Sequence, residues 1–280
     1  MKKIAVVNDL SGFGKCSLTA AIPVISALGV QCCPLVTGVF SNQTGYDSFY
    51  CRDFTNDMKP CLDEWKKLSA SFDGILTGFI SNSRQGEIIS YMIDEFKTEN
   101  TLVVVDPVMA DDGEIYKCYD EKSVRAIINL TKKADIITPN LTELCVLCGR
   151  EYNEITSLCE TALFEEIHKM SRSLCTLPLR TVITTGIHKD GKIANAVYDK
   201  GQFSVIFSPC ESGSFSGTGD IFSSFITAQC VKGVPVEKAA KQAADFIYKS
   251  VAETKTDTNG NYDRNDGVHF EKYLYTLGTL

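Results

Sequence analysis

The chain has 280 residues, of which 44% are hydrophobic and 22% are charged, and its formal net charge is −7 at pH 7. A chain of this length can bury a full core, so one α/β domain over residues 1–280 is the simplest prediction. The acidic balance argues against a nucleic-acid partner, because phosphate backbones are bound through clustered Lys and Arg.

The first apolar run, residues 4–7, is too short for a signal peptide or a membrane-spanning helix. We therefore expect a cytoplasmic protein that has no membrane partner and whose twelve cysteines are reduced. Cys145 and Cys148 have CxxC spacing, but no second pair follows at zinc-finger spacing, and the neighbouring leucines are typical of a helix core. We interpret both cysteines as core residues rather than as a metal or redox site.

Runs rich in Val and Ile alternate with segments of helical period, which predicts a largely parallel sheet flanked by helices. The predicted strands cover residues 4–7, 32–36, 74–77, 102–106, 136–138 and 182–184. The predicted helices between them cover residues 17–28, 58–68, 84–96, 121–130, 141–147 and 157–172. Beyond them we predict paired strands at 193–198 and 203–208, long helices at 218–231 and 236–254, and a polar surface loop at 255–261.

Polar residues directly follow the last apolar residue of five of the predicted strands, and in open parallel sheets ligands bind at the carboxyl ends of the strands. These residues are Asn8, Asp9, Thr37, Thr77, Asp106 and the run from Thr138 to Asn140. We therefore predict a ligand pocket at this edge of the sheet. The first loop is not a phosphate-binding P-loop, because Asp9 stands where the Walker pattern requires a glycine and Cys16 where it requires Ser or Thr.

The run Gly217-Thr218-Gly219-Asp220 lies at the predicted start of an apolar helix. The first backbone N–H groups of a helix have no internal partners and favour anions, and glycine lets the backbone come close to a phosphate. Asp220 would then lie beside that phosphate, where it could take a proton from an attacking hydroxyl. The alternative is an ordinary N-terminal cap in which Thr218 or Asp220 bonds its own backbone.

Carboxylates lie after the apolar runs of two of these strands. Asp106 and Asp111 lie after one strand, and Glu143 lies one turn into the helix that follows another. Such a cluster could hold Mg²⁺ together with substrate phosphates, since Mg²⁺ prefers one or two carboxylates, waters and phosphate oxygens. For Asn140 and Glu143 the alternative is a helix start with an acidic first turn.

Four stretches of the sequence resemble motifs of known kinases. The run from Gly217 to Asp220 is similar to the signature of the ribokinase-like superfamily of small-molecule kinases, which have a three-layer α/β/α fold around a largely parallel sheet. Residues 106–109 and 138–143 resemble motifs of its vitamin-kinase branch. Residues 40–46, Phe-Ser-Asn-Gln-Thr-Gly-Tyr, are similar to a loop of pyridoxal kinases.

This resemblance implies a role for each candidate site residue. The catalytic residues would be the base Asp220 and an anion hole of Gly217, Thr218 and Gly219. The substrate-binding residues would be Asp9, Phe40, Thr44 and Phe79. The ATP-binding residues would be Asp106, Asp111, Asn140, Glu143, Thr184 and Ser216. The ligands of Mg²⁺, and of a monovalent cation such as K⁺, would be drawn from Asp106, Thr138, Glu143 and Thr184.

The implied reaction is ATP-dependent phosphorylation of the hydroxymethyl group of pyridoxal, pyridoxine or pyridoxamine by a homodimer. Asp9, Gln43 and Phe79 replace the Ser, His and Tyr of better-known pyridoxal kinases, and Asp9 resembles the start of hydroxymethylpyrimidine kinases. Hydroxymethylpyrimidine or its phosphate is therefore the alternative substrate, although only Lys15 is an obvious cation for a phosphorylated one. A catalytically silent nucleotide- or vitamin-binding protein is a third possibility, against which the presence of Asp220 argues.

Asp9 also has two possible roles. Its carboxylate could accept a hydrogen bond from a donor on the substrate ring, and so decide which heterocycle is preferred. Alternatively it caps the turn at Ser11-Gly12, as Asp often does.

Overall fold

The computed structural model describes residues 1–210 and 213–279. Its main feature is a nine-stranded sheet in which six neighbouring strands, β2, β1, β4, β5, β8 and β9, are parallel. The strands are β1 (Lys3–Ser11), β2 (Gln31–Phe40), β3 (Cys51–Asp53), β4 (Gly74–Thr77), β5 (Leu102–Val105), β6 (Ala110–Asp111), β7 (Glu114–Ile115), β8 (Ile136–Ile137), β9 (Thr181–Lys189), β10 (Lys192–Asp199) and β11 (Gln202–Pro209). Within the sheet their order is β11-β10-β9-β8-β5-β4-β1-β2-β3, and β6 and β7 form a separate hairpin.

Helices cover both faces of this sheet. They are α1 (Ser17–Ala27), α2 (Thr55–Lys67), α3 (Ser83–Phe96), α4 (Glu121–Thr131), α5 (Leu141–Cys148), α6 (Tyr152–Thr156), α7 (Glu160–Leu174), α8 (Thr218–Val231), α9 (Val236–Asp257) and α10 (Leu274–Leu277). Successive strand side chains point to opposite faces, so Ile4 and Val6 pack with α1, α8 and α9, whereas Ala5 and Val7 pack with the helices of the other layer. The predicted three-layer α/β/α fold with a largely parallel sheet is confirmed.

Some predicted elements have different bounds in the structure. Thr37 lies inside β2, which runs on to Phe40 because β3 pairs with its end in the antiparallel direction. The helix predicted at 157–172 corresponds to α7, which begins only at Glu160 because residues 157–159 separate it from the short helix α6. Residues 255–257 belong to α9, so the predicted loop at 255–261 begins only after Asp257.

Several short elements were not predicted at all. They are the helices α6 and α10, the edge strand β3 and the β6–β7 hairpin, whose strands have two residues each. Asp112 and Gly113 connect β6 to β7 with φ angles of 49° and 85°. An Asp-Gly pair is a strong hairpin signal because both central residues of such a turn need positive φ, so the sequence contained the information for this element. Among the described residues, no helix is both long enough and apolar enough to span a membrane.

Candidate active site

The carboxyl ends of five neighbouring strands are joined by backbone hydrogen bonds into one continuous rim. Three of the bonds run from the residue after one strand to a residue of the next strand along the sheet, and the fourth runs from Thr185 inside β9 to Pro139 beyond β8. The bonds are Gly78 N to Val7 O (2.8 Å), Asp106 N to Thr77 O (2.9 Å), Thr138 N to Val105 O (3.2 Å) and Thr185 N to Pro139 O (2.9 Å). Asn8 and Asp9 lie inside β1 rather than after it, and they share this edge with the polar residues at the ends of β4, β5 and β8.

Helix α8 begins at this rim. Its N-cap residue is Gly217, which has a φ of 79°, and a Cβ there would lie 1.9 Å from the Lys15 carbonyl oxygen. Only glycine fits this position, because the backbone is left-handed and another loop lies against it. No described side chain caps the helix, and the Thr218 hydroxyl donates to the Phe215 carbonyl at 3.2 Å. The capping alternative for Thr218 and Asp220 is therefore wrong, and the start of α8 is available to an anion.

Asp220 and Asp106 lie on facing elements of the rim. Burial raises the pKa of Asp220 to about 6, although the Asn8 amide donates to Asp220 Oδ1 at 2.9 Å and opposes this shift. Burial, followed by the charge of Asp220, raises the pKa of Asp106 to about 7. A Cβ on Gly219 would lie 3.9 Å from Asp106 Oδ2, its nearest neighbour. The space between these two acids and the start of α8 is therefore lined by Gly219 rather than filled by a side chain.

Glu143 connects the loop after β5 to the start of α5. Its two carboxylate oxygens accept hydrogen bonds from the backbone N–H groups of Met109 (3.0 Å) and Asn140 (2.9 Å). The Asn140 side chain in turn accepts from the Glu143 N–H at 2.8 Å and donates to the Ala110 carbonyl at 2.7 Å. Asn140 and Glu143 thus form the capping box that was the alternative interpretation. Burial and the charge of Asp106 raise the Glu143 pKa well above its usual range.

Three threonine hydroxyls at this edge, those of Thr77, Thr138 and Thr184, are buried and have no hydrogen-bond partner among the described residues. Unpaired buried polar groups are costly, so these hydroxyls suit a site that receives a cation or a phosphate. Over the described part of the chain, no group of three or more His, Cys, Asp and Glu side chains could hold a metal ion. Mg²⁺ at this rim would therefore need phosphate oxygens or waters to complete its coordination.

The predicted ring pocket is aromatic. Phe40 and Phe79 meet edge to face with centroids 6.1 Å apart, and Thr37 Oγ1 donates to the Phe79 carbonyl at 3.2 Å. Tyr119, which was not predicted, lies 5.9 Å from Phe79 by centroid distance. Thr44 lies exposed on the loop between β2 and β3, and no described contact joins it to the two phenylalanines.

The carboxylate of Asp9, in β1, is buried and bonded to the end of β1 and the start of α1. It accepts hydrogen bonds from the hydroxyls of Ser17 (2.5 Å) and Ser11 (2.8 Å), and burial raises its pKa. The bond from Ser11 is the contact expected of the turn role. Its predicted role towards the substrate ring stays a prediction, because an ionised carboxylate can accept further hydrogen bonds.

The remaining predicted nucleotide-binding residues, Ser216 and Asp111, both interact with Arg264. The Ser216 N–H donates to the Arg264 carbonyl at 3.0 Å. Asp111 lies at the end of β6, where burial and Asp112 raise its pKa, while Arg264 and His188 act in the opposite direction. Arg264 thus brings a positive charge to an acidic site, and sequence reasoning missed it because it comes 44 residues after Asp220 with no motif around it.

Comparison with known proteins decides the family. A model of the phosphomethylpyrimidine kinase family matches residues 14–264. The chain belongs to this family.

Two solved structures resemble this kinase closely. A provisionally assigned phosphomethylpyrimidine kinase of Bacteroides thetaiotaomicron, crystallised with pyridoxal, is 36% identical, with a TM-score of 0.91 over 99% of this chain and 95% of that chain. Pyridoxal kinase from Lactobacillus plantarum is 25% identical, with a TM-score of 0.87 over 99% of this chain and 96% of that chain. A hydroxymethylpyrimidine/phosphomethylpyrimidine kinase of Bacillus subtilis is 30% identical over 74% of this chain and 72% of that protein.

The predicted kinase class is confirmed by these relatives. The protein is a phosphotransferase of the pyridoxal kinase type that acts on an alcohol group, within the ribokinase-like superfamily. The catalytically silent alternative is not supported. Both pyridoxal kinases and hydroxymethylpyrimidine kinases are among the relatives, so the family alone leaves two classes of ring as substrate.

Proposed function

We propose that this kinase transfers the γ-phosphoryl group of ATP to the hydroxymethyl group of pyridoxal, pyridoxine or pyridoxamine. The observation that carries the proposal is the arrangement of Asp220 beside the uncapped start of α8, with Asp106 across a space lined by Gly219. The relative crystallised with pyridoxal supports the choice of ring.

The step at the rim needs one base and one anion site. Asp220 accepts the proton of the substrate hydroxyl as its oxygen bonds to the γ-phosphorus, and the bond from that phosphorus to the bridging oxygen breaks to release ADP. With a pKa of about 6, Asp220 is mostly ionised at pH 7 to 8 and can accept that proton. The N–H groups at the start of α8 stabilise the negative charge of the transferred group.

The residues at the rim fit the predicted cations. Asp106 and Asp220 repel each other while buried, and the buried Thr184 hydroxyl has no partner among the described residues. Asp106 and Glu143 would hold Mg²⁺ with the nucleotide, and Thr138, Glu143 and Thr184 would hold K⁺. When bound, these cations offset the charge of the phosphates. Asp111, Asn140 and Ser216 would complete the nucleotide site.

Hydroxymethylpyrimidine or its phosphate is the second candidate substrate, favoured by the family model and by the relative from Bacillus subtilis. Lys15 does not support a phosphorylated substrate, because its ammonium group already donates to the Val268 carbonyl (3.2 Å) and contacts Glu271 (3.3 Å).

A substrate screen tests the proposal. ADP release is measured with MgATP and each of pyridoxal, pyridoxine, pyridoxamine, hydroxymethylpyrimidine and its phosphate. We expect the highest kcat/KM with one of the three pyridine substrates. A higher kcat/KM with hydroxymethylpyrimidine would favour the second candidate, and no ADP release with any of them would refute both. Light scattering on the purified protein would test the predicted homodimer.

A further inference from the structure

Asn8 lies inside β1, and its side-chain amide makes three hydrogen bonds. Only 4% of Asn8 is exposed. Its Oδ1 accepts hydrogen bonds from the backbone N–H groups of Asp9 and Phe79, each at 3.0 Å. Because a carbonyl oxygen can only accept, these two donors fix which way the amide faces. Its Nδ2 then donates to Asp220 Oδ1 at 2.9 Å.

The neighbouring backbone holds this amide from the side. A Cβ on Gly78 would lie 2.5 Å from Asn8 Nδ2 and 2.8 Å from its Cγ, so the amide packs directly against a glycine. Gly78 is itself bonded to β1 through its N–H and the Val7 carbonyl at 2.8 Å. The Asn8 side chain therefore has little freedom to leave Asp220, and no larger residue than glycine fits at position 78 without moving it.

We propose that Asn8 is a positioning residue for the phosphoryl transfer, which holds the Asp220 carboxylate and fixes its place relative to the ring pocket at Phe79. The inference rests on the proposed function, in which Asp220 is the base and Phe79 lines the ring site. The Asn8 amide contacts both residues, because its Oδ1 accepts from the Phe79 N–H and its Nδ2 donates to Asp220. A carboxylate oxygen has two lone pairs, so Asp220 can accept from Asn8 and from the substrate hydroxyl together.

The hydrogen bond also adjusts the basicity of Asp220. A donor to the ionised form favours that form, and the Asn8 amide opposes the increase in the Asp220 pKa that burial causes. The groups that face Asp220 are Asn8, the Ser17 backbone, Asp9, Asp106 and the buried thiol of Cys16, and Asn8 is the neutral side-chain amide donor among them. Without it, the base should become protonated at higher pH.

The test compares Asn8→Leu with Asn8→Asp in the full-length protein. Leucine has the same number and branching of side-chain heavy atoms and removes all three hydrogen bonds, whereas aspartate keeps an acceptor for Phe79 but places a second acid against Asp220. We expect Asn8→Leu to lower kcat by about 10- to 100-fold, the effect of losing a hydrogen bond to a charged group, with the KM for ATP little changed. The acidic limb of the kcat profile should move to higher pH, and further for Asn8→Asp.

Asp135→Leu is the matched control. Asp135 Oδ2 accepts from the Val103 N–H (2.9 Å) and from Lys97 (3.0 Å), where β5 and β8 begin, at the opposite edge of the sheet. This variant also removes a side-chain hydrogen bond to a strand, but we expect its kcat and pH profile to match wild type. Equal losses in kcat and equal pH profiles for Asn8→Leu and Asp135→Leu would overturn the positioning role.

A readout without substrate separates this inference from the proposed function. The titration of Asp220 is followed by carbon NMR of labelled carboxyl groups in wild type and Asn8→Leu, with Asp220→Asn to assign the signal. A higher midpoint in Asn8→Leu supports the inference, and an unchanged midpoint overturns it. Wild type that is inactive with every substrate would instead refute the proposed function.

Discussion

At the scale of single residues, the site brings together several carboxyl groups whose ionised form is disfavoured by burial. Asp106, Glu143 and Asp220 all have raised pKa values, with burial as the first cause. Groups of this kind reduce the stability of the folded chain when they are ionised, so their presence in one place indicates a function rather than a structural need. Glu143 also has a structural role, because its two oxygens accept hydrogen bonds from the backbone.

Asp220→Asn should separate activity from stability. We expect turnover to fall by about 10²-fold or more, the scale of a general base, while ATP binding remains. The folded-state pKa of about 6 lies above the ordinary 3.8, so ionisation destabilises the native state above pH 6 and not below about 3.8. The variant should therefore melt at a higher temperature than wild type at pH 8 and at a similar one near pH 4. Turnover within a few-fold of wild type would remove Asp220 from its role.

Glu143→Gln should affect both stability and ion dependence. A glutamine amide can accept only one of the two backbone N–H groups that Glu143 now accepts, and the other is left unpaired. We expect a loss of about 1–3 kcal/mol in the free energy of unfolding, measured by urea denaturation. Activity should also need more Mg²⁺ or K⁺, measured by titration of each ion. Unchanged midpoints for both ions would leave Glu143 as a capping residue only.

At the scale of elements, the sequence predicted those with clear boundaries. The bounds of β4 and α8 match the predicted ones, because Gly74 and Gly217 mark their starts and apolar runs fill them. The helix predicted at 157–172 was found as α7, but residues 157–159 before it are not helical and the short helix α6 was missed. The pattern of apolar runs could predict which site residues lie near strand ends. It could not predict the hydrogen bond from Asn8 to Asp220, because these residues are 212 positions apart and meet only when α8 packs against the sheet.

Gly217→Ala should reduce stability, whereas Gly219→Ala should reduce activity and leave stability near that of wild type. At Gly217 a methyl group would meet the Lys15 carbonyl at 1.9 Å in a left-handed backbone, so we expect a clear decrease in melting temperature. At Gly219 the nearest atom would be 3.9 Å away, and alanine favours the helix, so stability should stay near wild type. Activity should still fall in Gly219→Ala, because the methyl group occupies the space assigned to phosphate. Full activity in that variant would argue against an anion at this turn.

At the scale of the whole molecule, one segment near the C-terminus connects three loops of the site. The Asp266 carbonyl accepts from the Lys15 N–H at 3.2 Å, and the Arg264 carbonyl accepts from the Ser216 N–H at 3.0 Å. Asn265 donates to the Gly45 carbonyl at 3.2 Å, and the Tyr46 hydroxyl donates to the Asp266 carboxylate. Residues 264–266 therefore connect the loop after β1, which contains Lys15, to Ser216 before α8 and to the 41–50 loop.

Tyr46→Phe and Asp266→Ala remove the same hydrogen bond from that connection. We expect each variant to raise the KM for the ring substrate several-fold with a small effect on the KM for ATP, since the 41–50 loop carries the motif assigned to the ring. The double variant should be no worse than the more affected single one, because partners in one contact are not additive. Tyr275→Phe, at a tyrosine that is 80% exposed, is the control. Additive losses would show that the two residues act separately.

The rim of bonded strand ends has a kinetic consequence. From β1 to β9 it crosses β4, β5 and β8, a distance of about 19 Å at the usual spacing of parallel strands. On the proposed assignment, the ring lies towards β1 and β2, the nucleotide lies towards β9, and Asp106 and Asp220 lie between them. Both substrates can then be bound at once, and no side chain has to carry the phosphoryl group from one to the other. Initial-rate plots at several fixed ATP concentrations should intersect, the pattern of a ternary complex, whereas parallel lines would indicate a phosphorylated enzyme.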